Sequence, residues 1–422
     1  MIEQTVLPFK LAATNDSLTP HAGLAIFGEF LSAINLAESV DLHLPAPGSG
    51  AGYVPSSYVV PLLLMLHGGG RALEDLREIR SDVPLRDLVG LDEIPSPDAV
   101  GDWLRRMGSG GGLSGLGEAN VELVGRMLAR EDRSDYTLDI DATLIEAEKR
   151  DAAFTYKGFK GYAPMVGHLA ENGLVLHDEF RTGNDSPGAR NLEFLRACVV
   201  RMPRGKRIAR FRSDSAGYQS AILDFCAEAG IEYAIGADLD AGVRQSLFSV
   251  ESWRAYADGL IGETSHSMNA SRHPFRIVAV KRPSQQSLFV ETSPRVKVIA
   301  TNMAGSAEDV VAWYNRRGEC SENRIKELKL GVGMERLPCG NFAGNAAFFR
   351  LGVLAYNLFV LFRSAVLPAE WSRYQLTTVR WKLYQAAGKV VCHGNRVWLK
   401  VRRGWLDLFT GIRRRIHAFS FG

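Results

Sequence analysis

The chain has 422 residues, of which 46% are hydrophobic and 23% charged, a composition typical of a globular protein with a substantial core. The net charge is only +3, yet residues 361–422 contain 12 Lys or Arg against 2 acids, which indicates a polyanionic partner. The five cysteines include no C-x-x-C pair, which argues against a disulfide scaffold or a zinc ribbon, so we expect a cytoplasmic protein. Arg350 and Arg363 interrupt the apolar stretch Phe348–Leu367, so we expect no membrane span there.

The first 130 residues have the apolar spacing of short helices. Thr19 and Pro20 predict a helix start, with Thr19 as N-cap and Pro20 at the first helical position. Ser96–Asp98 predicts the cap of a further helix that reaches Met107. Short helices joined by tight turns are typical of a helix-turn-helix DNA-binding motif, but a plain helical bundle has the same pattern. We therefore predict a helical DNA-binding region over residues 1–130, with both arrangements open.

A glycine-rich segment, Gly108–Gly117, contains the G-x-G-x-x-G spacing of a dinucleotide-binding loop at Gly110, Gly112 and Gly115. That spacing is meaningful only after a strand and before a helix. Because a charged helix is predicted before it, we interpret the segment as a hinge. A dinucleotide-dependent enzyme is an alternative that a nicotinamide-binding titration would test.

The chain changes to an α/β pattern at Tyr136. The predicted strands up to residue 243 are Tyr136–Ala147, Tyr162–Val166, Leu174–Phe180, Arg207–Ser213 and Ile231–Gly236, with helices from Ser186 to Val200 and from Tyr218 to Ala229. Residues 244–295 read as a β-rich insertion. The strands predicted in and after it are Phe275–Val280, Ser287–Glu291 and Val296–Ala300, and a charged helix follows over Ala307–Leu330.

Three acidic residues occupy positions where a carboxylate is costly without a partner. Asp141 lies in the first predicted strand of the α/β region, Asp214 ends the fourth, and Glu322 lies on the charged helix. A buried carboxylate must be paired or bind a cation, and neighbouring strands bring their ends together. Three such carboxylates suit two Mg²⁺ ions, which can stabilise both the attacking and the leaving oxygen of phosphodiester transfer. Asp139 is the alternative to Asp141, because residues two apart face the same side of a strand.

The segments around these acids resemble those of the DDE transposases of bacterial insertion sequences, in the branch with a β-rich insertion and a Tyr-Arg-Glu-Lys signature. The matching segments are Leu138–Thr143, Arg212–Tyr218 and Tyr314–Lys329, within a resemblance that spans residues 15–365. The resemblance implies that Asp141, Asp214 and Glu322 are catalytic metal ligands. It also implies that Tyr314, Arg317 and Lys329 contact DNA.

The signature departs from the family at one point. The family places three residues between the Arg and the Glu, whereas four residues separate Arg317 from Glu322. Glu319 is the alternative, because it also precedes a lysine by seven residues, two helical turns along one face. We prefer Glu322, since the residues after it keep the family register. The extra residue predicts either a helix start near Gly318 or a π-bulge.

The resemblance implies an RNase H-like α/β core over residues 131–243 and 296–365, with a β-rich insertion at 244–295 and a basic region at 366–422. It implies a transposase that binds the ends of its insertion sequence, cleaves them and joins them to target DNA with two Mg²⁺ ions, for which Mn²⁺ can substitute. The implied partners are double-stranded DNA and, in the DNA complex, a second copy of the chain. The alternative is a transposase-derived DNA-binding protein without catalysis, because of the altered spacing before Glu322.

The basic C-terminal region also contains six tryptophan and tyrosine residues. They are Trp371, Tyr374, Trp381, Tyr384, Trp398 and Trp405. Basic residues interleaved with aromatic ones suit binding to phosphates and exposed bases. We predict Arg413, Arg414 and Arg415 as phosphate contacts, whose replacement by glutamine would reduce the salt dependence of DNA binding.

Overall fold

The structure, a computed structural model, describes residues 7, 9–48, 50, 52–283, 295–394 and 396–419, except the side chains of residues 319 and 320. The chain divides into two compact units. Unit 1 is drawn from residues 1–41, 46–100 and 362–422, and unit 2 from residues 42–45 and 101–361. Each unit therefore combines segments that are distant in sequence.

The residues that the structure describes form 14 α-helices and 15 β-strands. The helices are α1 (Ala22–Ala33), α2 (Leu36–His43), α3 (Ser56–Gly68), α4 (Leu76–Ser81), α5 (Val83–Val89), α6 (Pro97–Ser109), α7 (Gly112–Leu128), α8 (Asn191–Val200), α9 (Ser220–Glu228), α10 (Ala241–Phe248), α11 (Ala307–Lys326), α12 (Phe342–Ala365), α13 (Leu376–Val379) and α14 (Arg403–Phe419). The strands are β1 (Leu18–Thr19), β2 (Asp135–Ala142), β3 (Ile145–Glu146), β4 (Ala153–Phe154), β5 (Lys160–Tyr162), β6 (Met165–Leu169), β7 (Val175–Glu179), β8 (Arg207–Ser213), β9 (Glu232–Ala237), β10 (Arg254–Tyr256), β11 (Gly259–His266), β12 (Phe275–Arg282), β13 (Arg295–Thr301), β14 (Gly388–His393) and β15 (Arg396–Val401). Two π-helical turns, Glu327–Gly331 and Arg380–Tyr384, directly follow α11 and α13.

A mixed sheet forms the centre of unit 2. Within the described residues it has nine strands, in the order β10-β11-β12-β13-β9-β8-β2-β6-β7. β2 and β6, and β6 and β7, are antiparallel neighbours, whereas β8 is parallel to both β2 and β9. Numbered 1 to 5 along the chain, the strands β2, β6, β7, β8 and β9 therefore lie in the spatial order 3-2-1-4-5. The second of them, β6, is antiparallel to the other four, which is the arrangement of an RNase H-like core. The predicted fold class is confirmed.

The β-rich insertion continues this sheet. β13 pairs antiparallel with β9, so strands β10 to β13 extend the sheet on that side. Apolar residues of these strands pack against α11, as Ile261 does in one buried cluster with Val310. The predicted strands Phe275–Val280 and Val296–Ala300 are found within β12 and β13, while the predicted strand Ser287–Glu291 lies outside the described residues.

The first helix of unit 1 starts later than predicted. Thr19 is not its N-cap, because α1 begins at Ala22. Thr19 instead pairs with Gly388 of β14, and its hydroxyl donates a hydrogen bond to Asp82 Oδ2 at 2.6 Å. The His21 ring lies 3.1 Å from the same carboxylate oxygen. The Thr19 hydroxyl also accepts a hydrogen bond from the N–H of His21, the residue directly before α1, at 3.0 Å.

The glycine-rich segment Gly108–Gly117 joins two helices. It runs from the last turn of α6 into α7, so it lacks the preceding strand that a dinucleotide fingerprint requires. A Cβ added at Gly108 would lie 1.8 Å from the carbonyl oxygen of Ala343 in α12. The missing side chain therefore permits close packing of α6 against the start of α12.

Replacing Gly108 with alanine is expected to lower the free energy of unfolding by about 1–3 kcal/mol, because the added methyl group overpacks against backbone. Gly111→Ala is the matched control, since a Cβ there meets only the Pro45 side chain, at an ordinary 3.7 Å. Urea unfolding of the full chain measures both variants. An equal loss in the two would contradict the packing role of Gly108.

Helix α12 is the one described helix that is long and apolar enough to cross a membrane, and the bent pair α1 and α2 would be a second if it formed a single span. In α12, 94% of the apolar stretch is buried within the protein. Both of its arginines bond internally. Arg350 pairs with Asp178 at 3.0 Å, and Arg363 donates to the Tyr374 carbonyl at 2.9 Å. Burial of this kind is typical of a core helix.

Candidate active site

Asp141 and Asp214 lie at the same edge of the central sheet. Asp141 is the penultimate residue of β2, and Asp214 directly follows β8. The carboxyl ends of these parallel neighbours meet at this edge. Both aspartates line one small cavity of about 60 Å³, together with Leu144, Arg181 and Asn191. The structure thus brings together two of the three predicted catalytic acids, which we call the acidic pair.

The surroundings of Asp141 oppose its negative charge. Burial, together with the nearby Asp214 carboxylate, raises the pKa of Asp141 to about 6, although Arg317 acts in the opposite direction. Arg317 Nη2 lies 3.3 Å from Asp141 Oδ2. Asp214 is exposed, and its Oδ1 accepts a hydrogen bond from the Ala216 N–H at 3.1 Å. A cation bound between the two carboxylates would favour their ionised forms, because opposite charges stabilise each other.

Asp139, the alternative first acid, has a structural role. Its carboxylate is fully buried and accepts two hydrogen bonds from Arg212, from Nε at 2.7 Å and from Nη2 at 2.8 Å. Arg212 also donates to the Trp313 carbonyl at 2.7 Å, and its guanidinium lies 4.9 Å from the centre of the Trp313 ring. The pair therefore ties β2 and β8 to α11. Since Arg212 already occupies both Asp139 oxygens, these contacts favour Asp141 as the metal ligand.

Asp139→Asn is expected to destabilise unit 2 by about 3–5 kcal/mol, because it leaves Arg212 as an uncompensated buried charge. Asp135→Asn is the matched control on the same strand: Asp135 is exposed, and its surface ion pair with Arg207 contributes little. Thermal unfolding followed by circular dichroism compares the two variants. Equal melting temperatures would show that the buried pair is dispensable.

One face of α11 lies across the central sheet, beginning at this edge. Tyr314 is buried, Arg317 donates to a carbonyl of β2 at 3.2 Å, and Arg324 donates to a carbonyl of β6 at 2.9 Å. Ser321 is also buried, and its Oγ lies 3.3 Å from Nε2 of His168 on β6. These helix residues are three or four positions apart, which is the spacing of a single helical face.

Glu322 is one residue beyond that face. Consecutive helix residues point about 100° apart, and the Glu322 side chain is exposed whereas Ser321 is buried. Among the side chains that the structure describes, no three His, Cys, Asp or Glu are grouped so that they could hold a metal ion. Glu322 is therefore not gathered with the acidic pair, and Ser321 occupies the position where the family interval after Arg317 would place the acid. The side chain of Glu319 lies outside the described residues.

The extra residue of the signature is accommodated after Glu322. α11 runs through Gly318 without a break, so the predicted helix start there is wrong. The π-helical turn Glu327–Gly331 comes next, closed by a backbone hydrogen bond of 3.0 Å to a carbonyl five residues earlier. Because a π-bulge takes up one residue, it corrects the register only for the residues C-terminal to it. Lys329 lies within this turn, and its Nζ donates to the Leu144 carbonyl at 2.8 Å.

The residues predicted to contact DNA differ in their existing partners. Tyr314 is 8% exposed, so it is a packing residue in this structure. Arg413 forms an ion pair with Glu29 at 2.7 Å, and Arg415 Nε donates to a backbone carbonyl of unit 1 at 2.5 Å. Arg414 is exposed and has no hydrogen-bond or ion-pair partner in the described part of the chain. Of the three arginines, Arg414 is therefore the one available to a phosphate.

Two residues that line the cavity were not indicated by any pattern in the sequence. Arg181 and Asn191 both line it, and Arg181 Nη1 donates to Asn191 Oδ1 at 3.0 Å. Arg181 is 2% exposed, and its Nε has no hydrogen-bond partner among the described atoms. A buried unpaired donor is costly, so it suits an anionic ligand such as a phosphate. Only the fold brings Arg181, which follows β7, next to the start of α8.

The comparisons with known proteins find a matching family model and similar solved structures. A family model described as Transposase DDE domain group 1 matches residues 7–418. Among solved structures, the chain is similar to a cryo-EM structure of the piggyBac transposase synaptic complex with hairpin DNA, with 10% identity and a TM-score of 0.49, over 95% of this chain and 83% of that chain. The structural likeness is too low to carry an argument about function. No curated protein sequence matches the chain.

Proposed function

Because the chain belongs to the DDE transposases of domain group 1 over residues 7–418, we propose that it binds the ends of a mobile DNA element and catalyses their cleavage and transfer. The observation that carries the proposal is the acidic pair, Asp141 and Asp214, at the adjacent ends of two parallel strands in an RNase H-like sheet. We further propose that the element is a bacterial insertion sequence and that two copies of the chain hold its two ends together.

The acidic pair suits a divalent cation. Both carboxylates line one cavity, and burial, together with the neighbouring Asp214 carboxylate, raises the pKa of Asp141. Carboxylate oxygens are ligands that Mg²⁺ and Mn²⁺ prefer. When bound, the cation would stabilise charge on the attacking and leaving oxygens of the phosphodiester. Asp141 and Asp214 would hold one ion, and a second ion needs a third carboxylate, the role predicted for Glu322.

Basic side chains beside the acidic pair would orient the DNA backbone. Arg181 lines the cavity; its Nη2 pairs with Glu179 at 2.9 Å, and its buried Nε–H, which has no partner in the described structure, would donate to a phosphate oxygen. Lys329 reaches the Leu144 carbonyl at the rim of the same cavity. Fixed positive groups of this kind stabilise the charge that develops at a phosphate.

The proposal is tested with the purified full chain and a duplex that carries the DNA flanking its reading frame. We expect nicks that end in a 3′-hydroxyl at the element boundaries, in Mg²⁺ or Mn²⁺ and not in EDTA. A duplex with scrambled boundary sequences is the control. Absence of cleavage with either ion, or cleavage that persists in EDTA, would contradict the enzymatic proposal.

One observation favours a second function, DNA binding without cleavage. Glu322 is exposed and Ser321 lies in its place, while Asp185, which also lines the cavity, pairs with Arg190 at 2.9 Å, so no third carboxylate among the described side chains is grouped with the acidic pair to hold a metal ion. A chain of this kind would bind end DNA with the same affinity in Ca²⁺ and in Mg²⁺ and would nick it in neither. The cleavage assay above therefore separates the two functions.

A further inference from the structure

Three tryptophans of unit 1 surround one open cavity. Trp371, Trp381 and Trp405 line it together with Lys382 and Leu408, and the cavity has a volume of about 330 Å³. We call it the tryptophan pocket. Its volume is in the range of about 300–1,000 Å³ that is usual for small-molecule sites.

The turn that carries Trp381 has a firmly held backbone, while the Trp381 side chain remains exposed. The π-helical turn Arg380–Tyr384 supplies Trp381 and Lys382, and the neighbouring Leu383 and Tyr384 are fully buried. The Tyr384 hydroxyl lies 3.1 Å from Nδ1 of the buried His67. The Trp381 ring is nevertheless 78% exposed. Exposed apolar surface on an anchored backbone is typical of a binding site.

The charge around the pocket identifies the class of its ligand. Aromatic cages take either cations or flat aromatic groups. Lys382 is part of the lining, its Nζ lies 5.6 Å from the centre of the Tyr374 ring, and no carboxylate is among the described lining residues. Arg402 and Arg403, both exposed, directly precede the lining residue Gly404, whereas the exposed acids Glu370 and Asp407 directly precede the lining residues Trp371 and Leu408. With Lys382 in the lining itself, the balance of charge is positive, which disfavours a cation and favours an aromatic group that carries a phosphate.

We propose that the tryptophan pocket binds one unstacked base of a DNA strand. Trp381, the most exposed of the three rings, would stack on the base, and Lys382 with Arg402 would contact the phosphates beside it. Stacking on aromatic side chains tolerates every base, because each base has a flat face. The inference rests on the DNA-binding part of the proposed function and adds a base-binding site whose residues differ from those of the acidic pair.

The test uses the full chain and three fluorescein-labelled probes read by anisotropy. The probes are a single-stranded oligothymidine, an abasic strand with the same number of phosphates, and a fully paired duplex. We expect the parent chain to prefer oligothymidine to the abasic strand. Trp381→Ala should weaken oligothymidine binding about ten-fold or more, because stacking on an aromatic ring contributes strongly per base. Binding of the abasic strand and the duplex should change less than about two-fold, since their contacts are to phosphates.

Trp398→Ala is the matched control. Trp398 is also exposed in the same basic region, at 51%, but it does not line the pocket. Trp381→Phe keeps an aromatic face and should recover most of the affinity. Because Trp381 is exposed, its variants should keep the parent melting temperature.

Several outcomes would overturn the inference. These are equal effects of Trp381→Ala and Trp398→Ala, equal binding of the abasic and oligothymidine strands by the parent, or saturable binding of choline at the pocket. The inference and the proposed function can fail separately. Base-dependent binding without cleavage of end DNA would remove only the enzymatic proposal, whereas cleavage with no effect of Trp381→Ala would remove only the base-binding site.

Discussion

Asp141→Asn and Asp214→Asn are each expected to lower the rate of end-DNA cleavage by about 10³-fold or more and to leave DNA binding unchanged. Asparagine keeps the size of aspartate and removes the charge that holds a cation. The two residues act as one unit, so either single change should remove nearly all activity and the double change should add little. Cleavage is measured in Mg²⁺ on gels, and binding is measured separately in Ca²⁺.

Asp135→Asn provides the control for this experiment. Asp135 begins the same strand as Asp141, is exposed, and pairs with Arg207 at 2.8 Å on the surface. Its replacement removes one negative charge from β2 without touching the cavity, so cleavage should continue. If Asp141→Asn and Asp214→Asn cleave like the parent chain, the acidic pair is not the catalytic centre and the nuclease activity has another source.

Deleting Ser321 is expected to increase the rate of cleavage by about ten-fold or more, because changes to residues that support metal ligands typically alter activity by at least that factor. The deletion restores three residues between Arg317 and Glu322 and turns the acid by about 100° onto the face of α11 that lies against the sheet. The π-helical turn Glu327–Gly331 can then become α-helical, which keeps Lys329 in place. Cleavage rates over a series of Mg²⁺ concentrations measure the gain, which should appear first at low metal.

Ser321→Ala is the control for the deletion, because it removes the hydroxyl and keeps the register; it should give no gain. Glu322→Gln should change the parent chain little and should remove the gain in the deletion variant. A different outcome is that cleavage is lost both when Glu322→Gln is made in the parent chain and in the deletion variant. That outcome would show that Glu322 is the third acid with its natural spacing of four residues after Arg317. If Glu319→Gln is inactive and Glu322→Gln is active, the third acid is Glu319.

The acidic pair could be predicted because its placement depends on local order along the chain. The apolar residues of β2 and β8 predict buried strands, and parallel strands bring their carboxyl ends together. Asp141 directly follows Ile140 and Asp214 directly follows the last residue of β8, so their meeting needed no knowledge of distant contacts. The choice between Asp139 and Asp141 as the metal ligand could not be made in the same way, because the partner of Asp139 is Arg212, on a neighbouring strand 73 residues away.

The orientation of α11 could not be predicted, because one residue turns a helix by about 100°. Which side chain faces the sheet depends on contacts such as that of Ser321 with His168, 153 residues away in sequence. The basic C-terminal region shows the same limit. Its charge is evident in the sequence, but the pairing of Arg413 with Glu29, 384 residues away, is set by tertiary structure.

The pairing of β13 with β9 determines how this protein can be shortened. If strands β10 to β13 were excised, β9 would become the outer strand of the sheet, with a row of unpaired backbone N–H and C=O groups. Such an exposed edge templates the addition of strands from other molecules and leads to aggregation. A minimal catalytic fragment made by deleting β10 to β13 would therefore be insoluble unless a new strand, a proline or a charged side chain protected β9.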